Sequence, residues 1–403
     1  MLEGCHYTRM KTLGNKEGRE LTDLERAGCK TGHMAGSSGR IYRSWSGGRC
    51  RVLGGEEDDY CYHVMSRTCG GESLFGDEEK EAFRIIMQRM ARFCGMKVLT
   101  YCVMDNHFHV LTRVPCRGAF LRRFEDREGE APGAGEERLL GHLSVLYSKA
   151  YVGRVRKEIA WMRERGMDGD VEEFLGKYKK RFCDLSLFVK EVKERFSRWY
   201  NKKQGRRGTL WMDRFKSVLV EDGEALRTMA AYIDLNPVRA GLVEDPMDYR
   251  WCGYGEAVGG SRRARRGLCW VMGKPLDSWP ENGSWYRCWL MGDGVEVKEN
   301  KAYQVKARKG ISPEKVEAEL ARGGELPLHV RLRKQVDYLT AGYILGTLDF
   351  VEGHYRRCRS KFGPQRGPRA KPLKWQAKDD AGKSGARLYS LRGRGSANPG
   401  PEG

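Results

Sequence analysis

Hydrophobic positions along this chain fall into two periods. In YCYHVMSR, Tyr60 to Arg67, they alternate, placing Tyr62, Val64 and Ser66 on one side of a strand and His63, Met65 and Arg67 on the other. From Asp77 the period lengthens. Phe83, Ile86, Met87, Met90 and Cys94 recur at helical spacing, Asp77 is placed to cap the helix, and Gly95 stands where a left-handed terminal residue belongs. Met96 to Met104 and His107 to Val114 read as two further strands, joined by the turn residues Asp105 and Asn106. After Cys116 the chain becomes charged and helical as far as about Cys183, which reads as an insertion. Asp184 then caps a helix whose apolar stripe is Phe188, Val192, Phe196 and Trp199.

Trp211 to Glu221 reads as a fourth strand, and Asp222 as the cap of a helix running through Leu235, which Pro237 ends. In that helix Leu226, Met229 and Ile233 form the stripe towards the sheet, whereas Tyr232 and Asn236, four apart, share another face. Strand, helix, hairpin, helix, strand predicts an α+β fold. It is a ferredoxin-like antiparallel sheet with helices on one face, the other face being left for a ligand. The expected organisation is a poorly ordered lead-in over 1–58, a main domain over 59–260 with its helical insertion at 116–183, a mostly helical region over 261–355 and a basic disordered tail over 356–403. A helix is expected from Ser312 and Pro313. Leu332 to Lys361 suggests two helices broken near Gly346 and Thr347, in the manner of a helix-turn-helix.

Charge narrows the partner. The 403 residues carry 74 Lys and Arg against 54 Asp and Glu, a net charge of +20. A surplus of that size repels itself unless it meets a polyanion, and nucleic acid is the commonest one. Much of it is clustered, in NKKQGRRG (Asn201 to Gly208), in RRARR (Arg262 to Arg266), and in thirteen Lys or Arg against two acidic residues between Arg356 and Arg394. A membrane is not the expected partner: no run of about 18 apolar residues exists, nor a long basic amphipathic helix. The first twenty residues lack the apolar core of a signal peptide, and the thirteen cysteines include no Cys-x-x-Cys. Reduced thiols in a cytoplasmic, nucleoid-associated protein are therefore expected.

Candidate chemistry is concentrated in MDNHFHVLTRVP, Met104 to Pro115. His107 and His109, one residue apart on a strand, point to one face and are preorganised to share a divalent ion. A lone His-x-His is also an ordinary polar strand face, and a tyrosine on a helix is often only packing. A metal beside a phenol changes that balance. Tyr232 is a candidate nucleophile, weak at neutral pH but useful next to a Lewis acid, and Asn236 would complete the metal shell through its amide oxygen.

YHVMSR, the histidine pair in CVMDNHFHVLTRVP, the segment GRRGTLWMDRFKS, and YIDLNPVRAGLV with DYRW behind it resemble the single-tyrosine HUH transposases. The nearest branch is the REP-associated tyrosine transposases and their insertion-sequence relatives, over roughly residues 60–258. The resemblance implies that His107 and His109 hold Mg²⁺ or Mn²⁺ with Asn236 as third ligand, and that Tyr232 attacks single-stranded DNA with hairpin or palindromic ends. The products would be a 5′-phosphotyrosine and a free 3′-hydroxyl, serving DNA transposition or the mobilisation of palindromic repeats. Compact members carry glutamine where Asn236 stands, and lack both the insertion and the region after residue 260. Arg67, Lys202, Lys203, Arg206, Arg207, Lys216 and Arg239 are the candidate DNA contacts, with Trp211, Trp251 and Tyr254 as stacking candidates. No small-molecule substrate is expected. A homodimer pairing one chain's tyrosine with the other's histidines fits the same pattern. The competing expectation is a non-catalytic or domesticated DNA- or RNA-binding protein on the same fold, in which Tyr232 only packs.

Overall fold

Strand β1 (Tyr60–Arg67) lies at the middle of the site-bearing sheet and is buried on both faces along most of its length. It pairs antiparallel with β3 (His107–Val114) on one side and β4 (Lys216–Val220) on the other, while β2 (Lys97–Val103) forms a hairpin with β3. The resulting order β2-β3-β1-β4 is the expected ferredoxin-like one. This computed structural model describes residues 58–275, 337–340, 342–359, 370–373 and 388–392, with a few positions between 279 and 290. The expected lead-in over 1–58, but for its last residue, and the helix at Ser312 lie outside the described residues.

One face carries α1 (Asp77–Cys94) and α6 (Leu185–Lys203), packed against each other. Tyr62, Val64, Phe108 and Val110 from the strands meet Phe83, Met87, Phe188 and Phe196 from these helices in one core. Asp184 caps α6 as expected, its Oδ1 accepting from the backbone N–H of Ser186 and Leu187 at 2.8 and 2.9 Å. Gly95 ends α1 at φ 77°, a conformation that costs a residue with a Cβ. The start of α1 differs from expectation: Gly76 is the cap, and Asp77, Glu78 and Glu79 fill the first turn, where negative charge meets the positive end of the helix. The insertion is helical, as α2 (Arg117–Leu121), α3 (Ala134–Leu143), α4 (Lys149–Arg163) and α5 (Asp168–Lys179), and its apolar residues extend the same core.

The second face is not left open. Cys61, Leu99, Cys102, Leu111, Val218 and Val220 form a second core with Leu226, Met229, Ala230 and Ile233 of α7 (Glu224–Asp234). The short α8 (Asn236–Arg239) follows α7, and α9 (Gly253–Val258) and α10 (Arg262–Val271) complete this layer over β2. The α+β class stands, but the helices do not keep to one face, since those outward apolar side chains would otherwise meet water. β4 is shorter than expected, because Trp211 only bridges to Thr68. α7 is capped by Gly223 rather than Asp222 and ends at Asp234.

Beyond residue 260 the structure corrects two expectations. Gly342–Gly346 is a strand, β5, running parallel to β4, so Leu332 to Lys361 is not a helix-turn-helix. A short apolar run such as GYILG reads alike as a buried strand or a piece of buried helix, and the helices here are α11 (Asp337–Thr340) before it and α12 (Leu348–Arg357) after it. The other described residues of 261–355 are mostly helical, as expected. The basic tail is not wholly disordered: β6 (Ala370–Pro372) and β7 (Tyr389–Arg392) join β5, bringing the sheet to seven strands. Apolar residues within the tail, such as Leu388 and Leu391, are buried there.

Candidate active site

The β1–β3 register places Arg67 opposite His107 and Met65 opposite His109. Strand alternation then turns His63, His107 and His109 to the second face, beneath α7. His107 and His109 lie with ring centroids 5.0 Å apart and planes at 88°. Each has its Nδ1 engaged. His107 Nδ1 is 2.6 Å from Asn106 Oδ1, and since Asn106 Nδ2 donates to the Gly71 carbonyl, that oxygen accepts the imidazole proton. His109 Nδ1 is 2.8 Å from His63 Nε2, the two rings stacked at 5.0 Å, and His63 Nδ1 is 3.2 Å from the Leu339 carbonyl. Burial pushes the pKa of His63 and of His107 down to about 4 and that of His109 well below its usual value; the charges of Arg67 and Arg239 add to the effect at His107. All three rings are neutral at neutral pH.

Tyr232 comes down from α7 onto this cluster within the same chain. Its ring is edge-on to His109 at 5.5 Å and to His63 at 6.0 Å. The guanidinium of Arg239 lies over the Tyr232 ring at 5.1 Å, and the hydroxyl makes polar contacts with Arg239 and Asn236. Burial raises the pKa of the phenol, against the charge and hydrogen bond of Arg239 that lower it. Asn236 Nδ2 donates back to the Tyr232 and Ile233 carbonyls at 3.0 and 3.3 Å, and its Oδ1 accepts from Arg239 Nη1 at 3.3 Å. At 3% exposure Tyr232 is enclosed: it belongs to the second core, with Arg239 and Asn236 as the polar partners of its hydroxyl. Asp234 anchors this end of α7, accepting from Thr100 Oγ1 at 2.7 Å, the Tyr286 hydroxyl at 2.6 Å and Tyr254 N–H at 3.2 Å.

The donor set suits a divalent cation. With both Nδ1 atoms engaged, His107 and His109 have Nε2 left as ligand nitrogens, borderline donors that suit several divalent metals. Among the described residues no group of three or more His, Cys, Asp or Glu is placed to hold a metal, so Asn236, water or a phosphate oxygen would complete the shell. Asn236 Oδ1 is now turned towards Arg239.

The basic residues divide. Arg67 is exposed at the end of β1 opposite His107, and exposed Lys216 pairs with Met65 across the β1–β4 ladder, so both border the histidine strand. Lys202, Lys203, Arg206 and Arg207 follow or end α6, in the layer on the opposite face. Lys203 is held by Glu78 at 2.6 Å and Glu79 at 2.8 Å, so its charge is already balanced within the fold. The stacking candidates Trp211 and Tyr254 are buried, Trp211 among Phe75, Phe83, Phe108 and Phe196, while half-buried Trp251 lies beneath Lys80. Trp211 and Tyr254 thus serve the cores, because large aromatic rings supply much of the apolar area buried. Two contributors escaped the sequence reading. His63 stood in the sequence only as part of one strand face, although its parity with His109 on paired strands marks it as a neighbour, and the Leu339 carbonyl is supplied by a backbone atom that no side-chain pattern reports.

Comparison with known proteins bears on the first part of this domain. The family model described as "Transposase IS200 like" matches residues 57–122. That span runs from β1 through both β3 histidines and stops just inside the insertion, short of Tyr232 and Asn236. A solved structure described as "Structure of the REP associates tyrosine transposase bound to a REP hairpin" is 15% identical, with a TM-score of 0.31, covering 63% of this chain and 93% of that one. No curated protein matches the chain. Residues 57–122, which hold the first three strands of the sheet and the paired histidines of β3, are thus similar to the IS200-like transposases.

Proposed function

We propose that this protein cuts and rejoins single-stranded DNA as a transposase, with Tyr232 as nucleophile and His107, His109 and Asn236 as the holders of Mg²⁺ or Mn²⁺. The observation that carries the reading is the approach of the Tyr232 ring to within 5.5 Å of the His109 ring in one chain, outside the span that the family model matches. A bound divalent cation supplies charge neutralisation at the phosphoryl oxygens of the scissile bond.

The chain's own residues supply the rest. Tyr232 Oη attacks the phosphorus; the P–Oη bond forms, the P–O3′ bond breaks, the phenolic proton passes to solvent and the departing 3′ oxygen takes up a proton. A phosphodiester is exchanged for a phosphodiester, so a second 3′-hydroxyl can reverse the attack and rejoin strands without a nucleotide cofactor. Arg239 eases ionisation of the phenol by its charge, and its Nε, buried without a hydrogen-bond partner, is a donor for a phosphate oxygen. Because Arg239 lies over the enclosed phenol, a DNA phosphate that draws it aside would uncover the nucleophile. Arg67 and Lys216 at the site, and Lys202, Arg206 and Arg207 beyond it, hold the backbone of a strand with hairpin or palindromic ends. Such contacts give affinity but no sequence choice.

The 3% exposure of Tyr232 also favours a second reading, a binding protein in which the phenol only packs. Incubating the protein with labelled hairpin-flanked single strands and Mn²⁺, followed by a denaturing gel, separates the two. A covalent band that disappears in Tyr232→Phe supports the transposase. Salt-sensitive binding with no such band supports the binder.

A further inference from the structure

Three groups stand in line behind the candidate metal site: the Leu339 carbonyl, His63 and His109, with links of 3.2 Å and 2.8 Å. A carbonyl oxygen only accepts, so the proton on that link belongs to His63 Nδ1. A neutral imidazole carries one N–H, which makes His63 Nε2 an acceptor and assigns the proton of the second link to His109 Nδ1. His109 Nε2 is then a bare lone pair. Asn106 does the same for His107 by accepting from its Nδ1. Both histidines on β3 are thereby set in the one neutral form whose Nε2 can bind a cation, by two different devices.

We infer that His63 is a positioning residue, which relays the hydrogen-bonding demand of the Leu339 carbonyl to His109 and so fixes the tautomer and ring plane of that ligand. The burial of His63 and His109, at 2% and 1% exposure, supports this, since water is not at hand to satisfy either ring in another form. It gives the C-terminal extension a part in the site, because α11 (Asp337–Thr340) supplies the terminal acceptor while β5 beside it joins the sheet at β4. Outer partners of this kind hold ring orientation and ligand basicity in metal sites generally.

The metal consequence rests on the proposed function, whereas the tautomer does not, and the test keeps them apart. Full-length wild type, His63→Leu, His63→Gln and His107→Ala are titrated with Mn²⁺ alone, free ion being read by electron paramagnetic resonance. The imidazole nitrogens are assigned by ¹⁵N NMR without metal. Wild type is expected to show His109 protonated at Nδ1 and bare at Nε2. His63→Leu should lose that preference and bind Mn²⁺ about 10–100-fold more weakly, while His63→Gln, whose Oε1 can accept from His109 Nδ1, should stay within about threefold of wild type. An unchanged His109 tautomer in a folded His63→Leu protein, or His109 protonated at Nε2 in wild type, overturns the inference. Wild type that takes up no more Mn²⁺ than His107→Ala overturns the metal reading of the proposed function, and the ¹⁵N result still decides the relay.

Discussion

Arg239 lies over the ring of Tyr232, its guanidinium carbon 5.1 Å from the ring centroid, and also touches the phenolic hydroxyl. One side chain thus both covers the candidate nucleophile and opposes the rise in pKa that burial imposes on it.

Arg239→Ala is expected to slow formation of the covalent DNA adduct by about 10–100-fold, from the roughly 1.5–3 kcal/mol of a hydrogen bond to a charged group. It should also move the alkaline rise of the rate to higher pH, because the positive charge that favours phenolate is gone. Arg239→Lys should recover part of the rate. Single-turnover gels across a pH series read both effects, and an unchanged profile in Arg239→Ala would remove this residue from the chemistry.

Asp234 gives a pH dependence of stability. Burial raises its pKa to about 6, against the hydrogen bonds from Tyr286, Thr100 and the backbone that lower it. In the unfolded chain the carboxyl ionises near 4, so between about 4 and about 6 the folded state binds more protons. Stability from this group is fully present below that window and is lost as pH rises through it, by roughly 2–3 kcal/mol. Thermal unfolding of wild type and Asp234→Asn should show this slope in the first and a flatter one in the second.

Gly267 tests how tightly the second helical layer sits on the sheet. A Cβ at this position would lie 2.2 Å from the Leu99 carbonyl oxygen of β2, a backbone atom with little freedom to yield. Gly267→Ala should therefore destabilise by about 1–3 kcal/mol, read as a lower midpoint of denaturant unfolding. Gly169 in α5, where nothing lies within 4 Å, is the control and should tolerate alanine.

The basic loop is expected to act through salt. Arg206→Ala with Arg207→Ala should weaken single-strand binding and reduce the slope of log affinity against log salt by roughly 0.7 for each phosphate no longer neutralised. Lys203→Ala should change the slope less, because Glu78 and Glu79 already neutralise that ammonium. Filter binding at several salt concentrations distinguishes the two. Equal slopes for all variants would place the DNA elsewhere.

Period and punctuation were enough to read the first four strands, α1 and α6, because each depends on neighbours a few residues away: Asp184 capping α6, Gly95 ending α1, Asp105 and Asn106 turning the β2–β3 hairpin. The same local reading erred where burial overrides propensity. GYILG became a strand because an edge of the sheet was there to receive it. Residues of a basic tail paired with it for the same reason.

The sequence by itself determined the α+β class, the parity that puts His107 and His109 on one strand face, and the four-residue spacing that links Tyr232 to Asn236, since alternation and helical pitch are properties of the local backbone. Only the tertiary structure decided that β1 lies between β3 and β4, that α7 covers the second face, and that Arg239 stacks on Tyr232. It alone joined the Leu339 carbonyl to His63 and His63 to His109. Apart from the Arg239–Tyr232 pair, those contacts are made by segments far apart in the chain, brought together by the need to bury apolar surface on both sides of the sheet, and no window of sequence contains them.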